Sequence, residues 1–174
     1  MKKIIYLIAF LSFYSCKKNV EKQSDIISEK ENSINWNQIN FDNYLFNTLN
    51  NQQDKIELEK GKNYILDFWY LECPPCVKQH QEIKEHQNLL TKNNIEIIGV
   101  SIDRSLEDWK SYIDKHQYKW KNYNQYNVEN ELKFDYKIKL FPTYLYINDE
   151  GVILKKFNSF QKLITALNLE NNNK

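Results

Sequence analysis

The run YILDFWYLECPPCVKQH, Tyr64 to His80, passes from an unbroken apolar and aromatic segment straight into two cysteines with two prolines between them. Tyr64 to Tyr70 is rich in branched and aromatic side chains, which is the pattern of a buried strand. Pro74 and Pro75 suit the first turn of a helix, where no amide donor is required. The spacing therefore predicts a strand feeding a helix that runs to Leu90 and ends near Asn93-Asn94. That places Cys73 at a helix N-terminus, whose unpaired amides and dipole favour a thiolate. Cys76 follows about one turn inside, within reach of a mixed disulfide formed by Cys73.

Three chemistries fit such a pair: a redox couple, part of a metal site, or a structural staple. A staple across so short a loop closes little chain entropy. A zinc site asks for four ligands, and there is no second Cys-x-x-Cys; His86 and His116 are not at motif spacing, although His80 lies one turn beyond Cys76. Redox chemistry is favoured, with Cys73 as attacker and Cys76 as resolver, and the dithiol itself would be the redox centre, without metal or organic cofactor. His80 reads as a solvated or groove-edge helix residue. Trp69, Phe68, Trp109 and Trp120 read as core or groove lining.

Working outward, IEIIGVSID, Ile95 to Asp103, is a second buried strand. SLEDWKSYIDKH opens with a capping pattern, Ser105 and Asp108, and puts Leu106, Trp109, Tyr112 and Ile113 on one helical face. The order strand, helix, strand, helix predicts a right-handed parallel unit. A further helix is expected over Val128 to Tyr136. FPTYLYIN, the turn Asn148 to Gly151 and VILKKF form a hairpin, and a last helix is expected from Ser159 to Asn168. Upstream, DKIELEKGK suggests a short strand and turn. The expected fold class is α/β, a central mixed sheet with helices on both faces.

The chain has 174 residues, with 24 Lys and Arg against 23 Asp and Glu, interleaved. Nucleic acid binding needs a basic stripe that this distribution does not offer. At the start, Lys2 and Lys3 precede an apolar run, Ile4 to Phe13, too short to span a bilayer. Residues 1–15 read as a lipoprotein-type signal peptide, with Cys16 as the lipidated first mature residue. Residues 16–36, rich in Lys, Glu, Asn and Ser, read as a flexible tether. Residues 37–170 form one domain of ordinary size, and 171–174 a frayed tail. With Cys16 lipidated, Cys73 and Cys76 are the only cysteines left to pair in a disulfide-permissive compartment.

The blocks ILDFWYLECPPC, IIGVSIDRSLEDWKSYIDKH and YKIKLFPTYLYINDEGVILKKF, in that order, resemble the thioredoxin superfamily and its membrane-tethered TlpA/ResA-type branch. The likeness covers about Ile56 to Leu167 and implies a thioredoxin-like fold. It also implies that Phe141-Pro142 is a cis peptide facing the cysteine pair, with the residue before the proline offering its backbone to an extended substrate. Thr143, Trp69, Glu72, Pro74 and Pro75 would complete the substrate-binding surface. Asp67, six residues before Cys73, would be the buried acid that exchanges a proton with Cys76; a buried carboxylate without a partner tends to hold its proton near neutral pH.

Three residues depart from the branch's pattern. Glu72 replaces a tryptophan, Gln79 stands where the branch often has a glutamate, and Leu140 takes a place often held by glycine. The second departure shifts the acid role to Asp67, and Glu72 is expected to raise the Cys73 pKa and make the couple more reducing. The resemblance implies an extracytoplasmic, membrane-anchored lipoprotein, periplasm-facing in a Gram-negative cell. It would be a monomer that reduces disulfides of exported client proteins, as in cytochrome c maturation, and is re-reduced by a membrane thiol-electron carrier. The rival reading is a redox-inactive module that binds client peptides or a metal.

Overall fold

The computed structural model of the protein describes residues 37–169, so the signal peptide, Cys16, the tether and the tail fall outside the described residues. Seven strands form one mixed sheet in the order β2-β1-β5-β4-β3-β6-β7. In chain order these are β1 Phe46–Asn47, β2 Gln53–Asp54, β3 Asn63–Trp69, β4 Ile95–Ser101, β5 Lys121–Asn124, β6 Thr143–Ile147 and β7 Ile153–Phe157. Among the described residues the four α-helices are α1 Pro74–Lys92, α2 Leu106–His116, α3 Leu132–Asp135 and α4 Phe160–Ala166. Strand β3 runs parallel to β4 and antiparallel to β6, and β4 runs parallel to β5. The α/β class, the mixed sheet and the helix that starts at the cysteine pair are as the sequence predicts.

Strand alternation sorts the core. Tyr64, Leu66 and Phe68 of β3 share a cluster with Ile98 and Val100 of β4, Leu132 of α3, and Phe41 and Ile56 from the start of the domain. Ile65 points the other way, with Ile83 and Leu90 of α1 and Phe160, Leu163 and Ile164 of α4. Trp69, on that second face, joins Cys73, Cys76 and the Trp109 and Ile113 side chains of α2. Asp67 lies between Ile65 and Trp69 in the alternation, so it faces α1 from inside the sheet.

Four expectations need correction. The helix expected over Val128 to Tyr136 shrinks to Leu132–Asp135, because Asn127 and Lys137 both take left-handed backbone and Glu131 caps without a side-chain hydrogen bond. The strand expected in DKIELEKGK is displaced to Gln53–Asp54; Ile56 is buried there without joining a ladder. Strands β1 and β5 were not anticipated. β5 reads KNYN, with no apolar alternation, and it is held by polar side chains instead. Asn124 is fully buried and its amide donates to the Ser101 hydroxyl at 3.1 Å and the Asp103 carbonyl at 2.9 Å.

Candidate active site

Strand β3 ends at Trp69, and four residues later Cys73 caps α1 from an extended conformation. The connecting turn is pinned from β4's side. The Leu71 amide donates to Asp103 Oδ1 at 2.8 Å, the Ser101 hydroxyl donates to Asp103 Oδ2 at 2.6 Å, and the Ile102 amide donates to the Trp69 carbonyl at 3.0 Å. Burial pushes the Asp103 carboxyl above its ordinary range, and the hydrogen bonds from Ser101 and Leu71 work against that shift.

Cys73 and Cys76 form a disulfide, with Cα atoms 5.3 Å apart. The Cys76 amide donates to Cys73 Sγ at 3.3 Å, and the Val77 amide to the Cys73 carbonyl at 3.1 Å. Pro74 and Pro75 occupy the first helical turn and face solvent, as does Glu72. Cys73 is 3% exposed and Cys76 is fully buried. That asymmetry suits an outer sulfur that meets another molecule and an inner one that resolves the product.

Phe141-Pro142 is a cis peptide. The Phe141 ring packs against the cysteine cluster and meets Tyr70 edge-on, with centroids 5.3 Å apart. Thr143 is buried, and its hydroxyl donates to the Leu140 carbonyl at 2.7 Å, so its side chain holds the loop. Leu140 is 71% exposed. Trp69 has no exposed surface, which corrects its placement among the substrate-binding residues: it is the floor beneath the cysteines.

Beneath Cys76 the reading of His80 as solvated or groove-edge is overturned. His80 is 1% exposed, and its Nε2 lies 3.1 Å from Oδ2 of the fully buried Asp67. Asp67 is therefore not the partnerless carboxylate the sequence reading supposed. The imidazole sits in an aromatic cage. It is edge-on to Trp69 at 4.5 Å and to Tyr118 at 5.2 Å, with Tyr112 and Trp120 beyond. A signal for this was present, since Cys76, His80, Ile83 and Leu90 make the buried stripe of α1 at helical spacing.

Gln79 is a bracket. Its Oε1 accepts from the Phe160 amide at 2.6 Å and the Tyr144 hydroxyl at 3.3 Å, tying α1 to α4 and β6. Among the described residues no three His, Cys, Asp or Glu side chains converge as metal ligands, and no helix is long and apolar enough to cross a membrane.

A family profile described as Thioredoxin-like matches residues 61–153, just over half of the chain. A thiol-disulfide oxidoreductase named ResA from Halalkalibacterium halodurans is 23% identical over 121 residues, covering 65% of this chain and 63% of that protein. A ResA from Bacillus cereus is 26% identical, covering 59% of each. The match thus spans about three fifths of these relatives' length. Among solved structures, the thioredoxin domain of a thiol-disulfide oxidoreductase from Bacteroides vulgatus superposes with a TM-score of 0.61 at 25% identity, covering 72% of this chain and 90% of that one. StoA from Bacillus subtilis gives a TM-score of 0.55 at 21% identity, over 69% and 92%. The matched profile takes in the cysteine pair, the buried Asp67 and the cis-proline loop, and on that span the chain belongs to the thioredoxin-like family.

Proposed function

We propose that the protein is an extracytoplasmic thiol-disulfide oxidoreductase that reduces disulfides of exported client proteins. The observation that carries this reading is the Cys73–Cys76 disulfide at the N-terminus of α1, with Cys73 outermost and the Cys76 amide directed at its sulfur. In the reduced protein that amide, together with the helix dipole, stabilises a Cys73 thiolate. The thiolate attacks a client disulfide, a mixed disulfide forms, and Cys76 displaces the client thiol. Asp67 takes part in moving the Cys76 proton.

The client backbone docks against Phe141-Pro142, across a rim formed by Glu72, Pro74 and Pro75. Cys16 and the signal ahead of it would tether the domain to the outer face of the membrane, and a membrane thiol carrier would re-reduce it. The dithiol is the redox centre in this account. Insulin reduction by wild type and Cys73→Ser tests it. A rate that vanishes in Cys73→Ser supports the proposal, whereas no cysteine-dependent rate identifies a binding module. The couple's potential then sets direction: a value near about −270 mV marks a reductant, and one toward about −120 mV a disulfide donor.

A further inference from the structure

The Asp67–His80 pair lies on the buried side of the resolving cysteine and asks for a role. Cys76 and His80 are four residues apart on α1, one turn on the same face. Both lie against Trp69. An ionised Asp67 can only accept, so His80 Nε2 carries the proton of their hydrogen bond, and in neutral imidazole the other nitrogen is then a base. That nitrogen, Nδ1, is buried and has no hydrogen-bond partner among the described residues.

We propose that the Asp67–His80 pair, and not a lone carboxyl group, is the proton relay of Cys76, with His80 as the base and Asp67 as the residue that orients and polarises it. This rests on the oxidoreductase reading. In the resolving step the Cys76 S–H proton passes to His80 Nδ1. The Cys76 sulfur attacks Cys73 Sγ, the new S–S bond forms, and the Cys73–client S–S bond breaks with its electron pair on the client sulfur. The relayed proton then leaves to the client thiolate or to solvent. Before transfer the pair carries one negative charge beside a neutral thiol; afterwards a neutral pair stands beside a thiolate. The buried charge is unchanged, which avoids the cost of creating a second one.

The other titratable groups facing the pair are Tyr112 and His116 of α2, Tyr118 after it, and Tyr144 of β6. Burial raises all three phenols, with Asp67 adding to the shift, so they stay neutral through the working range. Burial also holds His116 down, with the charges of Lys115 and Lys84 adding.

The test follows the His80 imidazole by NMR titration of the whole protein, oxidised and reduced, and measures the pH profile of mixed-disulfide resolution in wild type and His80→Gln. The relay predicts that the imidazole titration moves between redox states. It also predicts that His80→Gln, whose amide still donates to Asp67, resolves about tenfold or more slowly at neutral pH and has its profile displaced upward. An imidazole titration identical in both states overturns the relay without any variant, and so does an unchanged profile in folded His80→Gln. If wild type shows no exchange dependent on Cys73, the oxidoreductase reading itself has failed.

A second inference rests on a separate surface. A groove of about 420 Å³ beside the cis-proline loop is lined by Lys139, Leu140, Thr143, Lys156 and Lys162, with no acidic residue among the described residues of its wall. Lysines on the edge strand β7 deter strand pairing, but Lys139 and Lys162 lie off that strand, so edge protection does not explain their convergence. We infer that this groove seats an acidic stretch of the client chain next to the docked backbone, with complementary charge raising the capture rate. The test compares two cystine peptides differing only in flanking Asp and Glu against Ser and Gln, on wild type and a Lys156→Glu/Lys162→Glu variant. The inference predicts about a tenfold kcat/KM preference for the acidic peptide at low salt, lost in the variant. Equal rates on wild type, or a preference that survives charge reversal, overturn it.

Discussion

Replacing Gln79 separates its role as a bracket from the acid role its position suggests. In Gln79→Leu the Phe160 amide and the Tyr144 hydroxyl lose their common acceptor, and the Pro75 carbonyl loses the 3.3 Å bond from Nε2. Tyr144 is fully buried, so its stranded hydroxyl costs about 1 to 3 kcal/mol, and the Phe160 amide adds about 1 kcal/mol. The sum is about 2 to 4 kcal/mol, or roughly 6 to 12 °C in Tm for a domain of this size. Gln79→Glu keeps the acceptor and strengthens the Phe160 bond by charge while losing the donor to Pro75, so it should stay within about 1 kcal/mol of wild type at neutral pH. Urea denaturation of the oxidised proteins measures both. A Gln79→Leu variant as stable as wild type, or a Gln79→Glu variant as weak as Gln79→Leu, refutes the bracket.

Three further outcomes follow from particular contacts. Gly99→Ala places a Cβ 2.6 Å from Asn122 Oδ1, whose amide is held by the Trp120 carbonyl at 2.8 Å, so thermal unfolding should report a loss of about 1 to 3 kcal/mol. His116 stacks on Tyr118, and its pKa is lowered mainly by burial, so its contribution to stability is present above the ordinary imidazole value of about 6.5 and is lost as pH falls below it toward the lower folded value. His116→Asn should accordingly flatten the fall in Tm between pH 7.5 and 5.5, and a slope equal to wild type contradicts the assignment. Glu72→Gln removes an exposed negative charge next to Cys73. Its couple should become more oxidising in thiol redox buffers, about 30 mV for each tenfold change in equilibrium constant, and an unchanged potential sinks the repulsion argument.

The parts legible in the sequence are those where one physical demand dominates. The β3 run needs burial on both faces, the two prolines need a helix start, and Asn148 to Gly151 needs a turn whose glycine has φ of +77°. Ser105 caps α2 by accepting from the Asp108 amide, as its capping pattern foretold. The parts that escaped depend on tertiary partners. Strand β5 is polar because buried Asn124 donates to the Ser101 hydroxyl and the Asp103 carbonyl and Asn122 donates to the Trp120 carbonyl, partners that the four residues KNYN do not reveal by themselves. His80 escaped because a histidine next to a charged stretch reads as solvated until the sheet supplies Asp67 opposite. Trp69 reads as core or groove lining from its own sequence, and strand alternation does turn it inward with Trp109 and Cys76; the docking role that the resemblance implied for it does not fit that burial.

The most direct test of the account is trapping of the mixed disulfide. Cys76→Ser and Cys73→Ser proteins are reduced, mixed with a cystine-containing peptide, quenched with acid and resolved by mass. Removing the resolving thiol should leave the peptide bound to Cys73 in Cys76→Ser, while Cys73→Ser, whose remaining sulfur is fully buried, should form no adduct on the same timescale. Adduct on Cys76 at a comparable rate, or on neither cysteine, contradicts the claim that Cys73 is the attacking sulfur of a thiol-disulfide exchange site.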